Sequence, residues 1–293
     1  MAEINETIGG YRLRTLMQTG QVSQVFEVVE PHSNRHFAMK ILLPEAASKP
    51  EVRQTLFSEA AIGQKLRHEN VIHILKVSQS KESPHFIMEY FPSGSLRNRM
   101  LNKDFDFLRQ HAPKMFRQMA TALAYMHGNG YVHCDVKPDN MLVDASGKLK
   151  LIDFAISRKI PTGFAKWFYK QPKAQGTPSY MSPEQILRKP LDGRADIYSL
   201  AATMYELTTG RPPFRGNTMN DLLSKHFGEK PITPQSHNKD LTDEFSALVL
   251  KMLAKKKEDR PPNCHEVLMT LRKIKIHKDD PDDIEQQMGM SMG

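Results

Sequence analysis

The chain has 293 residues, of which 39% are hydrophobic and 25% charged, so it can bury a full core in one large domain or two lobes. Its only cysteines, Cys134 and Cys264, exclude a disulfide framework and favour a reducing cytoplasm. No uninterrupted apolar run approaches the roughly 20 residues that a membrane-spanning helix needs, and the polar start Met1 to Glu6 does not resemble a secretory signal.

The net charge of +8 is unevenly distributed, because residues 278–293 contain five carboxylates and one lysine. The rest of the chain is therefore strongly basic, and its field could attract ATP, acidic substrates or nucleic acid. No zinc-finger spacing or aromatic-basic RNA motif accompanies this charge, so a solvated basic surface is favoured over nucleic-acid binding. The polar, acidic tail, residues 277–293, is expected to be disordered or to act as a tether.

The first third of the chain predicts an antiparallel sheet with a single helix. The predicted strands are Tyr11 to Phe26 (a strand, a turn and a second strand), His36 to Leu42, Ile74 to Val77 and Phe86 to Met88. Alternation along the segment that contains Lys40 places this side chain on the same face as Ala38. Residues 51–67 carry apolar side chains at helical spacing, with Glu59 in the middle.

The composition changes after the last of these strands, where an apolar segment gives way to Pro, Ser and Gly. We therefore predict one part at residues 11–92 and a second at 93–276. The second part is expected to be mainly helical. An apolar stripe indicates a helix from about Phe107 to His127, and Asp196 is expected to open a buried helix from Ile197 to Leu207.

The residues that can carry chemistry are concentrated between positions 133 and 155. They form the runs His133-Cys134-Asp135-Val136-Lys137-Pro138-Asp139-Asn140 and Leu151-Ile152-Asp153-Phe154-Ala155. A predicted hairpin between the runs would hold Asp135, Asn140 and Asp153 close together. A carboxylate beside a lysine suits work on a hydroxyl proton, and an amide with a second carboxylate offers the hard oxygen ligands that magnesium prefers.

These runs resemble the catalytic loop and the metal-binding segment of protein kinases, whose patterns are H-R-D-x-K-x-x-N and D-F-G. The resemblance covers roughly residues 11–275, and Gly176 to Gln185 is similar to bacterial serine/threonine members. It implies an α+β, bilobal protein-kinase-like fold, with a small antiparallel sheet plus helix in the N-lobe and a mainly helical C-lobe. ATP would lie between the lobes.

The same resemblance implies roles for the charged and amide side chains. Asp135 would be the catalytic base that accepts or orients the proton of a serine or threonine hydroxyl of a protein substrate. Lys137 would neutralise charge that builds on the transferred phosphoryl group. Asn140 and Asp153 would hold Mg²⁺ ions that bridge the phosphates of ATP.

The nucleotide-binding residues implied by the resemblance lie mostly in the first lobe. They are Met17, Gly20, Ser23, Val25, Ala38, Lys40, Glu89, Phe91 and Leu142. Lys40 would hold the α- and β-phosphates and be oriented by an ion pair with Glu59. The backbone of Glu89 and Phe91 would bind adenine, with Ala38 and Leu142 on either side of the ring.

Met17 to Val25 lines up with the kinase glycine-rich loop, but Gln18 and Ser23 replace its first and third glycines. Their side chains should stiffen the loop and weaken nucleotide affinity. Ala155 replaces the glycine of D-F-G, so the flip that removes the aspartate from the site should be harder. Inhibitors that need the flipped state should therefore bind weakly.

Cys134 replaces the arginine of H-R-D, which commonly pairs with a phosphate on the activation segment. We therefore expect activity without phosphorylation between Phe154 and Glu184, with Thr162 as the cleanest site to test. Thr177 is a poorer test site because it is expected to bridge Asp135 and Lys137. A buried apolar filler is favoured for Cys134 over a redox-sensitive thiol.

The activation segment that follows is basic and carries aromatic residues. Residues 154–175 contain Arg158, Lys159, Lys166, Lys170 and Lys173 with no acid, and the aromatic residues are Phe164, Trp167, Phe168 and Tyr169. A docking surface for a partner and a solvated loop both remain open. The resemblance also implies that Asp196 steadies the catalytic loop and that Arg260 pairs with Glu184.

The sequence therefore predicts a serine/threonine protein kinase, with a non-catalytic pseudokinase scaffold as the alternative. Gln18, Ser23 and Ala155 favour the scaffold, whereas the intact charged residues oppose it. The charges supply the larger contribution to phosphoryl transfer, which favours the active enzyme.

Overall fold

A computed structural model describes residues 6–161 and 175–280, which divide into two compact units. The first unit ends at Ser93 and also includes Ile152–Ala155, whereas the second contains the other described residues from Gly94 onwards. This division differs by one residue from the predicted boundary at 92/93. Ile152–Ala155 belong to the first unit because their contacts include the Asp153–Lys40 pair and the Phe154 N–H bond to Glu59.

The first unit is a six-stranded antiparallel sheet with two helices. Its strands are β1 (Thr7–Ile8), β2 (Tyr11–Thr19), β3 (Ser23–Val29), β4 (His36–Leu42), β5 (Ile74–Ser78) and β6 (His85–Glu89), in the spatial order β1-β2-β3-β4-β6-β5. Its helices are α1 (Pro44–Ala47) and α2 (Pro50–Gly63). Apolar side chains that alternate along β2, β3 and β4 form one buried cluster with Ile87 of β6, which accounts for the pairing of these strands.

Two local sequence features place α2 against this sheet. Pro50 occupies the first turn of the helix. N–H groups in the first turn have no hydrogen-bond partner within a helix, so the N–H that proline lacks is not needed there. Gly63 ends the helix beside β5, where a Cβ would lie 2.5 Å from the Ile74 Cδ1 atom. The glycine therefore allows the close approach that buries Glu59 on the inner face of α2.

The second unit is mainly helical, so the predicted α+β fold class is confirmed. Its helices are α3 (Leu96–Leu101), α4 (Phe105–Gly128), α5 (Pro183–Ile186), α6 (Gly193–Thr209), α7 (Met219–Gly228), α8 (Asp243–Met252) and α9 (Cys264–Leu271). Its short strands are β7 (Gly94–Ser95), β8 (Tyr131–Val132), β9 (Met141–Val143), β10 (Leu149–Leu151) and β11 (Arg158–Lys159), which form the sheets β10-β9-β7 and β11-β8. The predicted hairpin is β9–β10, in which Met141 pairs with Leu151.

Helix α6 forms the centre of the second unit, and every residue from Ala195 to Leu207 is buried. The helix begins at Gly193 because the Asp192 side chain accepts a hydrogen bond from the Arg194 N–H and caps it. The prediction that Asp196 opens the helix was therefore wrong, since Asp196 lies inside its first turn. Gly210, in the left-handed conformation, ends the helix.

A buried ion pair connects α5 to the segment that precedes α9. Arg260 donates to both Glu184 oxygens, at 2.6 and 2.9 Å, as predicted. The same guanidinium donates to the carbonyl oxygens of Arg194, Ala254 and Lys255. A buried charge is tolerated when its donors are satisfied in this way, so the pair fixes three segments of the unit together.

The predicted tail, residues 277–293, was placed too early. His277 is buried and forms a β-bridge with Leu241, and Asp280 accepts hydrogen bonds from the Ile276 and His277 N–H groups. These contacts make His277–Asp280 part of the second unit, whereas the rest of the predicted tail lies outside the described residues. In the part of the chain that the structure describes, no helix is long and apolar enough to cross a membrane.

Candidate active site

Lys40 lies on β4 of the first unit between two carboxylates. Its Nζ atom is 2.8 Å from both Glu59 oxygens and 3.6 Å from the Asp153 Oδ1 atom. Burial alone would lower the pKa of Lys40, but the Glu59 and Asp153 carboxylates raise it above its ordinary value. The side chain therefore remains a cation whose position is set by a two-oxygen contact.

Asp153 is held by its own tight turn. Its backbone lies in the left-handed region, with φ of 68°, which a short polar residue tolerates better than most. The Ala155 N–H donates to the Asp153 Oδ1 atom at 3.2 Å, and the adjacent Phe154 is buried. This turn orients the carboxylate towards Lys40; the consequence of Ala155 for a flip of the segment remains a prediction.

The predicted glycine-rich loop is a tight hairpin between β2 and β3. The Gly20 N–H donates to the Ser23 carbonyl at 2.8 Å, and a Cβ on Gly20 would lie 3.3 Å from that carbonyl oxygen. Val25 pairs in register with Lys40, whereas Met17 on β2 is exposed. A backbone hydrogen bond at Gly20, the one glycine of the kinase pattern that is present here, thus closes the turn.

The predicted adenine-binding residues fall in both units. Ala38 on β4, Glu89 at the end of β6 and Phe91 belong to the first unit, while Leu142 on β9 belongs to the second. The Glu89 N–H already donates to the His73 carbonyl at 3.0 Å. Any adenine hydrogen bond to the Glu89 backbone would therefore use its carbonyl oxygen.

Asp135 in the second unit contacts three further predicted residues. Its Oδ1 atom accepts from the Thr177 N–H and hydroxyl, both at 3.0 Å. Its Oδ2 atom is 2.7 Å from the Lys137 Nζ atom and accepts from the Asn140 amide at 3.0 Å. Lys137 also donates to the Thr177 hydroxyl at 2.7 Å, so the predicted bridge is present.

Each unit contains one predicted metal ligand, Asn140 in the second unit and Asp153 in the first. The Asn140 amide nitrogen donates to the Asp135 backbone carbonyl and carboxylate, which leaves the amide oxygen as its ligand atom. Asp153 offers a carboxylate whose side chain is 38% exposed. No group of three or more His, Cys, Asp or Glu side chains suited to a metal occurs among the described residues. Taken separately, an amide oxygen and a carboxylate are both ligand types that Mg²⁺ accepts, and their binding of one ion remains a prediction.

Asp196 connects α6 to the backbone of the predicted catalytic loop, residues 133–140. Its Oδ2 atom accepts from the His133 N–H at 2.7 Å, and its Oδ1 atom accepts from the Cys134 N–H at 2.9 Å. Cys134 has a left-handed backbone, with φ of 69°, so the loop turns sharply at this point. The carboxylate is completely buried and thereby fixes the turn that precedes Asp135.

Two residues that support this loop were missed in the sequence. The His127 Nε2 atom lies 2.8 Å from the Asp196 Oδ2 atom, and Gly193 makes room for its ring, since a Cβ there would lie 2.5 Å from the Nδ1 atom. Gln185 donates to the Cys134 carbonyl at 2.8 Å. The S-x-x-Q capping box from Ser182 to Gln185 is a sequence signal for Gln185, whereas His127 has no comparable signal.

The Cys134 thiol packs among apolar side chains, which confirms its prediction as a buried filler. Val132, Leu191 and Ala195 form its cluster, and Ile156 and Ile160 pack against them. Burial raises the pKa of the thiol, which opposes reactivity.

The activation segment is described only at its two ends. Arg158 and Lys159 form β11, and Arg158 donates to the Gln175 side chain at 3.2 Å. The remaining predicted features lie outside the described residues: Thr162, Phe164, Lys166, Trp167, Phe168, Tyr169, Lys170 and Lys173.

The amino-acid sequence is similar to that of known proteins. Residues 11–270 match the family described as Protein kinase domain. The serine/threonine-protein kinase PknB of Mycobacterium leprae is 30% identical over 275 residues, which cover 92% of this chain and 43% of the relative. The probable serine/threonine-protein kinase PknB of Corynebacterium glutamicum is 30% identical over 272 residues, 90% of this chain and 42% of its own. The chain thus spans less than half the length of these relatives.

The His127–Asp196 pair predicts a pH dependence of stability. Burial alone would lower the pKa of His127, but Cys264 and Asp196 raise it to about 10. Because this value exceeds the unfolded pKa near 6.5, the stabilisation is fully present below about pH 6.5 and is lost as the pH rises towards 10. We expect the free energy of unfolding, from chemical denaturation, to fall more steeply over this range in wild type than in His127→Gln.

The exposed His265 provides a matched control, because it has no buried carboxylate partner among the described residues. His265→Gln should keep the wild-type slope. Parallel slopes for wild type and His127→Gln would show that the pair contributes nothing.

Proposed function

The chain belongs to the protein kinase domain family, and from this premise we propose that it is an active serine/threonine kinase. It transfers the γ-phosphoryl group of Mg-ATP to a hydroxyl of a protein substrate. The observation that carries the proposal is the Asp135 carboxylate, which Lys137, Asn140 and Thr177 hold through both oxygens. A base held in this way is oriented before the substrate arrives, which lowers the entropic cost of reaction.

In the proposed reaction, Asp135 accepts the proton of the substrate hydroxyl as the hydroxyl oxygen bonds to the γ-phosphorus. The bond between the γ-phosphorus and the β–γ bridging oxygen breaks, and ADP leaves. Lys137 neutralises charge on the phosphoryl group in transit. Thr177 holds Lys137 and Asp135 together, since its hydroxyl accepts from the first and donates to the second.

Lys40 binds the α- and β-phosphates in this proposal. Its support is the ion pair with Glu59, which fixes an ammonium that would otherwise move on a flexible side chain. Asn140 and Asp153 would each contribute an oxygen to magnesium. The bound ion supplies neutralisation of phosphate charge and alignment of the nucleotide.

A pseudokinase scaffold is the second candidate, and the hairpin at Gly20 favours it. The strands that flank this turn carry Gln18 and Ser23 where kinases have glycine, so fewer backbone amides can approach a phosphate closely. Those substitutions change backbone freedom, however, and leave the charges of Lys40, Asp135 and Asp153 in place.

Replacement of the base tests the proposal directly. Asp135→Asn removes the proton acceptor and keeps nearly the same side-chain volume, although its single amide oxygen can accept only one of the two pairs of hydrogen bonds that the carboxylate accepts. Phosphoryl transfer from radiolabelled ATP to a generic protein substrate should therefore fall by roughly 10²–10⁴-fold. Asp139→Asn is a matched control, because Asp139 lies in the same run but pairs at the surface with Arg97. It should remain within about threefold of wild type.

Equal transfer by wild type and Asp135→Asn would exclude the proposed base. Saturable binding of ATP without any transfer by the wild type would favour the scaffold.

We also propose that activity does not require phosphorylation of the activation segment. The support is Cys134, which fills an apolar cluster with Ile156 and Ile160 where related kinases place a phosphate-binding arginine. Protein treated with phosphatase and a Thr162→Ala variant should both retain the wild-type rate of phosphoryl transfer within about threefold. The reason is that Cys134, unlike an arginine, cannot form an ion pair with a phosphate on the activation segment. A loss of activity in both, restored by rephosphorylation of the wild type alone, would contradict this proposal.

A further inference from the structure

A cavity of about 350 Å³ in the second unit lies beside α5, away from the groups assigned to phosphoryl transfer. Its lining includes four lysines, Lys189, Lys255, Lys256 and Lys257, together with Leu187 and two prolines. Lysines are usually dispersed over a surface, and here four of them share one small concave site with apolar side chains.

The charges around this cavity do not cancel. Glu184 also lines it, but Arg260 takes both of its oxygens, at 2.6 and 2.9 Å. Lys257 is neutralised by Asp192 at 3.0 Å. Glu258 is then the one lining carboxylate against Lys255 and Lys256, so positive charge remains in excess among these lining residues.

Two of these lysines differ in how they are held. The Lys255 Nζ atom donates to the Lys225 carbonyl at 3.0 Å and lies 4.0 Å from the centre of the Phe214 ring. Burial lowers the pKa of Lys255 to about 8, so a nearby anion would stabilise its charged form. Lys256 is exposed and has no ion-pair partner in the described parts of the chain. The site therefore combines one ammonium group that contacts the protein with one that is exposed.

Leu187 supplies an apolar contact in the same place. It follows the last residue of α5 and is 51% exposed, and Pro183 and Pro190 also line the cavity. A leucine exposed to this extent beside basic side chains suits a partner that buries one apolar group while it neutralises charge.

We propose that this cavity is a docking site for an acidic peptide segment of a protein partner, with one apolar side chain among its carboxylates. The carboxylates pair with Lys255 and Lys256, and the apolar side chain covers Leu187. Charge complementarity selects an acidic ligand, and the small, partly apolar cavity favours a peptide over an extended polyanion. Docking here requires no catalytic residue and therefore extends beyond the proposed kinase activity.

Binding of a labelled peptide to the full chain tests the site. The probe is fluorescein-labelled Glu-Asp-Asp-Leu-Glu-Asp-Glu, with the same peptide carrying Ser for Leu as a second probe, and fluorescence anisotropy is the readout. Lys256→Glu should weaken binding of the first probe by about tenfold, because it reverses a charge that faces the ligand. Leu187→Ala should weaken it about threefold and reduce the preference for the leucine probe. Thermal unfolding verifies that each variant is folded.

The exposed Lys273, which does not line the cavity, provides the matched charge reversal. Lys273→Glu should change affinity by less than about twofold, since screening limits distant charges. Equal losses in Lys256→Glu and Lys273→Glu, or no saturable binding below about 1 mM, would overturn the proposal. Tighter binding of a 12-nucleotide single strand with the same lysine dependence would also overturn it, in favour of a nucleic-acid site. Asp135→Asn should bind the peptide normally, so a failure of docking and a failure of the proposed catalysis are distinguishable.

Discussion

One buried carboxylate determines the conformation of the predicted catalytic loop, residues 133–140. Asp196 lies in the first turn of α6, whose residues from Ala195 to Leu207 are all buried. It accepts from the backbone of His133 and Cys134 and from the His127 ring. Burying a carboxylate without such partners would cost free energy. The loop N–H groups and the histidine therefore stabilise Asp196 in its buried position, and Asp196 in turn holds the loop and the histidine in place. The sharp turn at Cys134 follows from this constraint, and it determines where Asp135 begins. The contacts of the Asp135 carboxylate with Lys137, Asn140 and Thr177 therefore depend on that turn.

Each unit contains a complete charge network of its own. In the first unit, the Lys40 ammonium lies between the carboxylates of Glu59 and Asp153. In the second unit, the Asp135 carboxylate contacts the Lys137 ammonium, the Asn140 amide and the Thr177 hydroxyl. The departures from the kinase patterns do not remove a member of either network. Gln18, Ser23 and Ala155 restrict backbone freedom, and Cys134 exchanges a charge for apolar packing. Because stabilisation of charge dominates phosphoryl transfer, this distribution favours an active enzyme over a scaffold.

The sequence predicted the features that depend on local pattern or on motif order. Alternation gave β4 as His36–Leu42, and motif order gave the pairs Lys40–Glu59 and Glu184–Arg260 before any distance was known. It did not predict the start of α6. Asp192 caps this helix, while Asp196 accepts hydrogen bonds from the backbone of His133 and Cys134, and that distant contact cannot be read from the local sequence. His127 was missed because its partner lies 69 residues away, and helical spacing says nothing about such a contact. The burial of His277 likewise depends on a bridge to the distant Leu241.

Residue-resolved hydrogen–deuterium exchange of the unmodified protein tests the Asp196 constraint most directly. Both amides that donate to Asp196 lie in a loop, where exchange is ordinarily fast. The account predicts that the His133 and Cys134 amides are protected to the same degree as amides in the middle of α6. Exchange as fast as that of Gln21 in the exposed turn between β2 and β3 would show that Asp196 does not hold the loop, and the account would be contradicted.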